Sequence, residues 1–336
     1  MFPAGRRRTP VSPRALGLTG GIVLAVMVLG CLASMPYTFA TPRADPTARR
    51  FEATDPDRTL LPPWWAPHAA DERSRVQAAA DVRGRGPACH LGTDRLGRDL
   101  FIRCLAGGGI SLLIGLAAAA FSVCIGTAYG TVAGYLGGRV DAVLMRMVDI
   151  LYGLPSILLV VLLAVAADGL IERAGGEIGP GGRQLINLVT LLLAIGSVSW
   201  LTMARVIRGQ VLSLKAQPFM EAARAIGLGW PRQFTRHLLP NLLGPIVVYA
   251  TLTVPAAILS ESFLSFLGIG VKEPLPSWGN LAADGLSELN TVRVRWWLLL
   301  WPCLFIGLTL LSLNFVGEAI RDRLDPKRRT ASARLS

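Results

Sequence analysis

The sequence predicts an all-α, polytopic membrane protein with six transmembrane helices and both termini in the cytoplasm. Three observations carry that prediction. Of 336 residues, 52% are hydrophobic and 17% charged, and a mean hydropathy of +0.47 is too high for an ordinary soluble domain. The apolar residues gather in runs near the ~20 residues that a helix needs to cross a hydrocarbon core. The basic residues, which outnumber the acidic ones to give a net charge of +12, cluster at the ends of those runs and in one long loop. That distribution marks cytoplasmic flanks in a lipid bilayer. It lacks the basic stripe with stacking aromatics that nucleic acid would require.

Arg6, Arg7, Arg8 and Arg14 precede the first apolar run, 15–35, and hold the N-terminus inside. The run exceeds the ~7–15 apolar residues of a cleaved signal peptide, so it reads as a span. Residues 36–90 form a long polar loop, which the first span delivers outside despite its arginines, because long loops cross largely regardless of charge. It reads as an accessory segment, with Trp64 and Trp65 at the membrane interface or against an external partner. From 91 to 105, Thr93 or Asp94 can cap a helix whose apolar face, Leu96, Leu100, Phe101, Cys104 and Leu105, lies opposite Arg95, Arg98, Asp99 and Arg103. Such a helix is expected on the outer membrane surface.

The second span, 110–135, carries Gly126, Gly130, Gly134 and Gly138 at four-residue intervals, a ridge on which another helix packs at close range. Residues 134–149 read as a tight cytoplasmic turn in which Arg146 and Asp149 pair. A third span, 148–167, a glycine-rich outer loop and a fourth span, 185–206, follow. Arg205, Arg208, Lys215, Arg224, Arg232 and Arg236 then mark a cytoplasmic loop. Span five, 242–259, is kinked by Pro245 and Pro255. Residues 260–279 read as a short amphipathic helix, a proline turn and a tryptophan anchor. They suit an outer gate or docking platform, with Glu261, Phe266 and Trp278 as candidates, and equally an interfacial re-entrant loop. Span six is 296–316, and Glu318, Arg321, Asp322, Arg323, Asp325, Lys327, Arg328 and Arg329 make a charged cytoplasmic tail.

The chemistry expected of this chain is slight. Cys31, Cys124 and Cys303 fall in apolar runs and read as small core residues, while Cys89 and Cys104 can face outside, where their pairing is open. His68, His90 and His237 are scattered, no cluster has metal-ligand spacing, and neither HExxH nor a nucleophile with its base lies at membrane depth. A membrane-embedded enzyme is therefore disfavoured. Asp149, Glu261 and Glu318 lie near span ends, which argues against an ion-driven carrier, since that would hold ionisable groups at the midplane. No phosphate loop of the form GxxxxGK[ST] is present, so ATP is bound elsewhere and no cofactor is expected on this chain.

The segment 219–241, FMEAARAIGLGWPRQFTRHLLPN, is too polar for the membrane and too well patterned for a linker. Ala222, Ala223 and Ala225 favour a short helix, Gly227 and Gly229 stop it, Trp230-Pro231 restarts one, and Pro240 bends the chain where the next apolar run begins. Glu221-Ala222-Ala223, Gly227 and Leu239-Pro240 resemble the signature E-A-A-x3-G-x9-I-x-L-P of permease subunits of ATP-binding-cassette importers, with His237 in place of isoleucine. Leu91 to Asp99 resembles the L-G-T-D-x-x-G-R-D block of the C-type permease of dipeptide and oligopeptide importers. Ile102 and Gly109 depart from it, where serine and arginine are frequent. Two further blocks are similar: 261–279, which holds E-x-x-L-S-F-L-G-x-G and P-x-P-S-W-G, and R-D-x-L-D-P at 321–326.

The resemblance covers 91–326. It implies a type I importer transmembrane domain over those residues, an N-terminal region 1–90 with one span and the outer loop, and a tail 327–336. It implies that Glu221, Ala222, Ala223, Gly227, Leu239 and Pro240 form a coupling helix in a groove of a cytoplasmic ATPase. It further implies a second related permease, two ATPase subunits that hold ATP and magnesium, an extracytoplasmic solute-binding protein, and a bacterial inner membrane. Peptides are the expected cargo, with nickel or another small solute as the alternative.

Overall fold

The computed structural model describes residues 13–41, 48–67, 72–75, 77, 89–173, 179–289 and 294–324. Arg6, Arg7 and Arg8, the middle of the outer loop, and Asp325 with the tail beyond it lie outside the described residues. Among the described residues the secondary structure is helical, apart from isolated antiparallel bridges Thr93–Asp99 and Leu289–Val294. Helix α1 spans Pro13–Thr38, α2 Leu100–Leu136, α3 Gly138–Tyr152, α4 Ser156–Arg173 and α5 Pro180–Lys215. Short helices α6, Pro218–Ala225, and α7, Trp230–Gln233, lead through a π-turn, Phe234–Leu238, into α8, Leu239–Phe266. Helix α9 is Trp278–Ser287 and α10 is Trp296–Leu324.

Among the described residues, five stretches are long and apolar enough to cross a membrane: Ala15–Thr38, Leu100–Leu136, Gly181–Lys215, Trp230–Phe266 and Trp296–Leu324. The expected third span is broken. Gly138–Tyr152 and Ser156–Ala167 meet at an angle of 89°, and together they supply the sixth crossing only as a bent pair. Gly153 and Pro155 stand at that break, where proline disfavours helix in the residue before it.

Helix α2 is central, as a run with few side chains larger than leucine allows. Ala106, Ile110, Ile114 and Ala118 meet Leu191, Ala194 and Ile195 of α5 and Ala257 and Leu264 of α8 in one apolar core. Along its second half, Gly126, Gly130 and Gly134 face α5 so closely that a methyl at Gly126 would stand 2.5 Å from the Met203 Cβ, and one at Gly134 2.9 Å from the Arg208 carbonyl oxygen. A methyl at Gly130 would collide with the carbonyl of Ala204. Gly138 does not continue this ridge. With Gly137 it makes the turn into α3, both with positive φ (68° and 53°), and nothing lies within 4 Å of where its side chain would be.

Four other expectations are corrected. The segment before α2 is not a surface helix: Asp99 is the N-cap, accepting from the amides of Phe101 at 2.8 Å and Ile102 at 3.3 Å, and the helix runs from Leu100 directly into the span. The periodicity misled because Asp94 draws the Arg98 and Arg103 guanidiniums inward, each at 2.6 Å, so that Arg103 is only 1% exposed. Residues 134–149 are not one tight turn: the turn is Gly137-Gly138, α3 follows, and Asp149 meets Arg205 at 2.9 Å instead of Arg146. Cys124 and Cys303 are exposed on the helix bundle, whereas Cys31, Cys89 and Cys104 are buried, and no disulfide joins Cys89 to Cys104. Finally, the described part of the outer loop is no loose appendage. Phe51 and Leu61 are buried, the Leu61 amide donates to Thr93 Oγ1 at 2.8 Å, and the Trp65 ring lies 5.9 Å from that of Trp296.

Candidate coupling elbow and adjoining cavity

The elbow hangs from the end of α5. Pro218 opens α6 at a first-turn position where its missing N–H costs nothing, with Glu221 beside the positive helix N-terminus and Arg224 in the last turn. Met220 and Ala223 are buried, while Glu221, Ala222, Arg224 and Ala225 face outward. The helix ends in a Schellman pattern. Leu228 N–H donates to the Ala223 carbonyl at 3.0 Å, Gly227 N–H donates to the Arg224 carbonyl at 3.0 Å, and Gly227 adopts the left-handed φ of +74° that this cap requires. The next helix begins at Trp230-Pro231 behind Gly229, whose φ is an ordinary −66°.

The elbow is tied to the membrane helices at several points. Gln233, buried, donates from Nε2 to the Leu228 carbonyl at 2.5 Å and accepts from the Tyr135 hydroxyl at 3.0 Å, joining the turn to the end of α2. Lys215 Nζ donates to the Tyr135 carbonyl at 2.6 Å and the Gly134 carbonyl at 3.2 Å, capping α2. Arg224 Nη2 donates to the Lys215 carbonyl at 2.9 Å. Beneath the elbow, Met220, Leu238 and Leu242 join Met203, Ile207 and Val211 of α5 in a second apolar core. Leu239 is half-buried and Pro240 exposed at the start of α8. The outer surface of the elbow carries Ile226, 75% exposed, with Phe219 and Trp230, among exposed Arg224, Arg232 and Arg236. Apolar side chains ringed by charge are the composition of a contact surface.

At the opposite end, Glu261 and Trp278 are wholly buried and Phe266 is half-buried, so the expected tryptophan anchor at the membrane surface is corrected. Trp278 Nε1 donates to the Cys104 carbonyl at 2.9 Å, and its ring stacks on Phe305 at 5.9 Å. The glycines Gly107 and Gly108 of α2 leave the room for α9 to approach, with Ser277 and Trp278 above them. The Glu261 carboxylate accepts from the Ser265 hydroxyl at 2.7 Å and the Ser262 hydroxyl at 3.3 Å, and Ser265 Oγ in turn accepts from Val271 N–H at 2.9 Å. Residues 260–266 thus belong to α8, and the turn after them is braced from inside. Outside this knot Glu273 and Asp284 flank the Arg103–Asp94 pair. Burial, and then the neighbouring Glu273 carboxylate, push the Asp284 carboxyl above its ordinary range, against the pull of Arg103, Arg95 and Arg98.

Between the α3–α4 corner, α5 and α8 lies a cavity of about 800 Å³. Tyr152, Ser156, Ser199, Thr202, Tyr249, Thr253 and Ser260 bring hydroxyls to a wall that is otherwise aliphatic and aromatic, and none of its lining residues carries a formal charge. Sequence reasoning missed this cavity. Its only linear trace is a scatter of serine and threonine residues in spans otherwise built of leucine, valine and alanine.

Residues 126–330 match the family described as binding-protein-dependent transport system inner membrane component. The chain is 42% identical over 269 residues to the oligopeptide transport system permease protein OppC of Haemophilus influenzae, covering 80% of this chain and 79% of that one. It is 42% identical to the dipeptide transport system permease protein DppC of Bacillus subtilis, with 80% and 78% covered. It is 48% identical to the OppC protein of Escherichia coli K12, with 71% and 73% covered.

Proposed function

Because the chain belongs to the family of binding-protein-dependent transport system inner membrane components, we propose that it is a permease subunit of an ATP-driven peptide importer in a bacterial inner membrane. With a second, related permease it forms the path for peptides handed over by an external solute-binding protein. The observation that carries this reading is the elbow: an eight-residue helix closed by Gly227, tied by Gln233 and Lys215 to the end of α2, and presenting Ile226 and Phe219 among arginines. Peptide cargo is supported by relatives named for oligopeptides and dipeptides, and nickel is not favoured. The distant alternative, a membrane-embedded enzyme, has no support among relatives that are named as transport permeases.

The chain does no hydrolysis itself. Partner ATPase subunits bind ATP and magnesium, close on one another, and push the elbow, while Glu221, Ala222, Ala223, Gly227, Leu239 and Pro240 shape the contact. Because α5 and α8 leave the two sides of the elbow and both wall the cavity, displacement of the elbow alters the cavity. The second permease completes that wall.

The test is to place a cysteine at Ile226 in a chain otherwise free of cysteine, within the assembled complex in sealed vesicles of known orientation. A membrane-impermeant thiol reagent is expected to label it from the cytoplasmic side, and the ATPase subunits are expected to slow the labelling. Labelling from the external side, or a rate indifferent to those subunits, would refute the coupling role.

A further inference from the structure

Helix α3 is held to the molecule in an unusual way for its length. Of its 15 residues only Asp141 and Val148 are buried, so it has almost no apolar packing of its own. It packs against both α2 and α5, and its ion pairs are made to α5. Asp141 receives a bidentate pair from Arg208, Nε to Oδ1 and Nη2 to Oδ2, each 2.5 Å. Asp149 receives Arg205 Nη2 at 2.9 Å, and the same guanidinium lies 4.0 Å from the centre of the Tyr152 ring. Besides these, the Tyr129 hydroxyl of α2 donates to the Leu144 carbonyl at 2.9 Å.

Both ends of this arrangement lead somewhere. Arg205 and Arg208 lie one helical turn apart, near the end of the helix from which the elbow hangs. Leu151 and Tyr152, the last residues of α3, wall the cavity, as do Leu154 at the 89° bend and Ser156 and Ile157 beyond it. The two ion pairs differ in the exposure of their carboxylates, Asp141 at 13% and Asp149 at 57%, while Arg208 and Arg205 are similar at 35% and 38%. An exposed pair holds little net free energy and is broken and remade at small cost. The planar guanidinium engages carboxylate and ring at once, which lysine does not reproduce.

We infer that Arg205 is a positioning residue for transport: with Asp149 and Tyr152 it latches α3 to α5, so that the α3–α4 corner walling the cavity follows the elbow. The inference rests on the proposed function. In it Arg208–Asp141 is the fixed hinge and Arg205–Asp149 the contact that opens and closes as α5 shifts. Apolar packing at this place would hold the corner in one position, whereas a solvated ion pair lets it take two.

The experiment compares Arg205→Asp, Asp149→Arg and the double exchange in the complete complex reconstituted in vesicles, reading peptide accumulated per ATP hydrolysed. Each single variant is expected to keep binding-protein-stimulated ATPase activity while the peptide-to-ATP ratio falls by roughly five- to tenfold, a usual size for a coupling term. The exchanged pair is expected to recover most of that loss. A parental ratio in the single variants, or an exchanged pair no better than either, overturns the inference. If charge reversal prevents assembly, Asp149→Asn serves in the same assay: a lowered ratio supports the latch, and an unchanged ratio overturns it. A parental complex that carries no peptide would sink the proposed function instead. The latch would then still be read from the reactivity of a cysteine at Thr202 in the cavity wall, whose nucleotide dependence the single variants abolish and the exchange restores if the inference holds.

Discussion

Gly227 shows how much one residue can decide. Nothing lies within 4 Å of where its side chain would be, so the space is open and only the backbone is demanding. With φ at +74°, a β-branched residue would be strained by about 1–3 kcal/mol, enough to unmake the cap that ends α6 and to redirect the turn bearing Ile226. Gly227→Val is expected to insert and assemble but to take up peptide at a small fraction of the parental rate, while Gly227→Asn, which tolerates this region, keeps a substantial share. Uptake assays on the two variants check this, and equal uptake by valine and asparagine would remove the conformational argument. This glycine was legible in the sequence because a helix stop between two helix-forming stretches asks for positive φ. Arg103 was not, since an arginine at polar spacing reads as water-facing until Asp94, nine positions earlier, is seen to fold over it. Trp278 misled for a related reason: its indole N–H looks like an interface group, but its acceptor, the Cys104 carbonyl, is supplied by a helix 174 positions away.

Among elements, long apolar runs located five of the crossings, because a hydrocarbon core sets the least length of a span, but the helices outrun it: 110–135 lies within Leu100–Leu136 and 242–259 within Trp230–Phe266. The break between α3 and α4 was harder to read. Its apolar residues continue through Gly153-Leu154-Pro155, and hydropathy alone merges two helices that geometry sets at 89°. The outer segment 48–66 gave the opposite error, since polarity and proline content hide a few deeply placed apolar residues. Phe51 packs edge-on to Phe39 at 5.0 Å, and Leu61 and Arg58 both bond with Thr93, so this stretch closes over the start of α2. Replacing residues 48–66 by a glycine-serine linker of equal length is therefore expected to deplete the assembled complex in membrane extracts. Truncating Leu61 alone to alanine should lower its stability by about 2–5 kcal/mol. A complex that forms in parental amount without this segment would show that these contacts are dispensable.

At the scale of the whole molecule, the division of labour is the informative feature. The interior of the bundle is mostly apolar packing around a glycine-lined central helix, with the buried Arg103 paired to Asp94 and the buried Glu261 bonded to serine hydroxyls. The cavity wall is uncharged, and under the proposed function it would grip neither an acidic nor a basic side chain of the cargo strongly. The elbow and its arginines gather at the end of α5, on the same stretch that reaches α3. The four motif blocks made the family legible from sequence, and in three of them glycines stand where the backbone is demanding: Gly92, Gly97, Gly227 and Gly268 all have positive φ. The cavity was illegible because it arises between helices distant in the chain and has no motif.

The central claim is that a partner's nucleotide hydrolysis moves this chain and that the chain performs no chemistry. Its most direct test is peptide accumulation in vesicles holding this permease and its related partner permease, with loaded binding protein outside, assayed with and without the ATPase subunits. Accumulation that appears only when those subunits and ATP are both present is the predicted result. ATP-dependent accumulation in their absence, or hydrolysis of ATP by the purified chain alone, would contradict it.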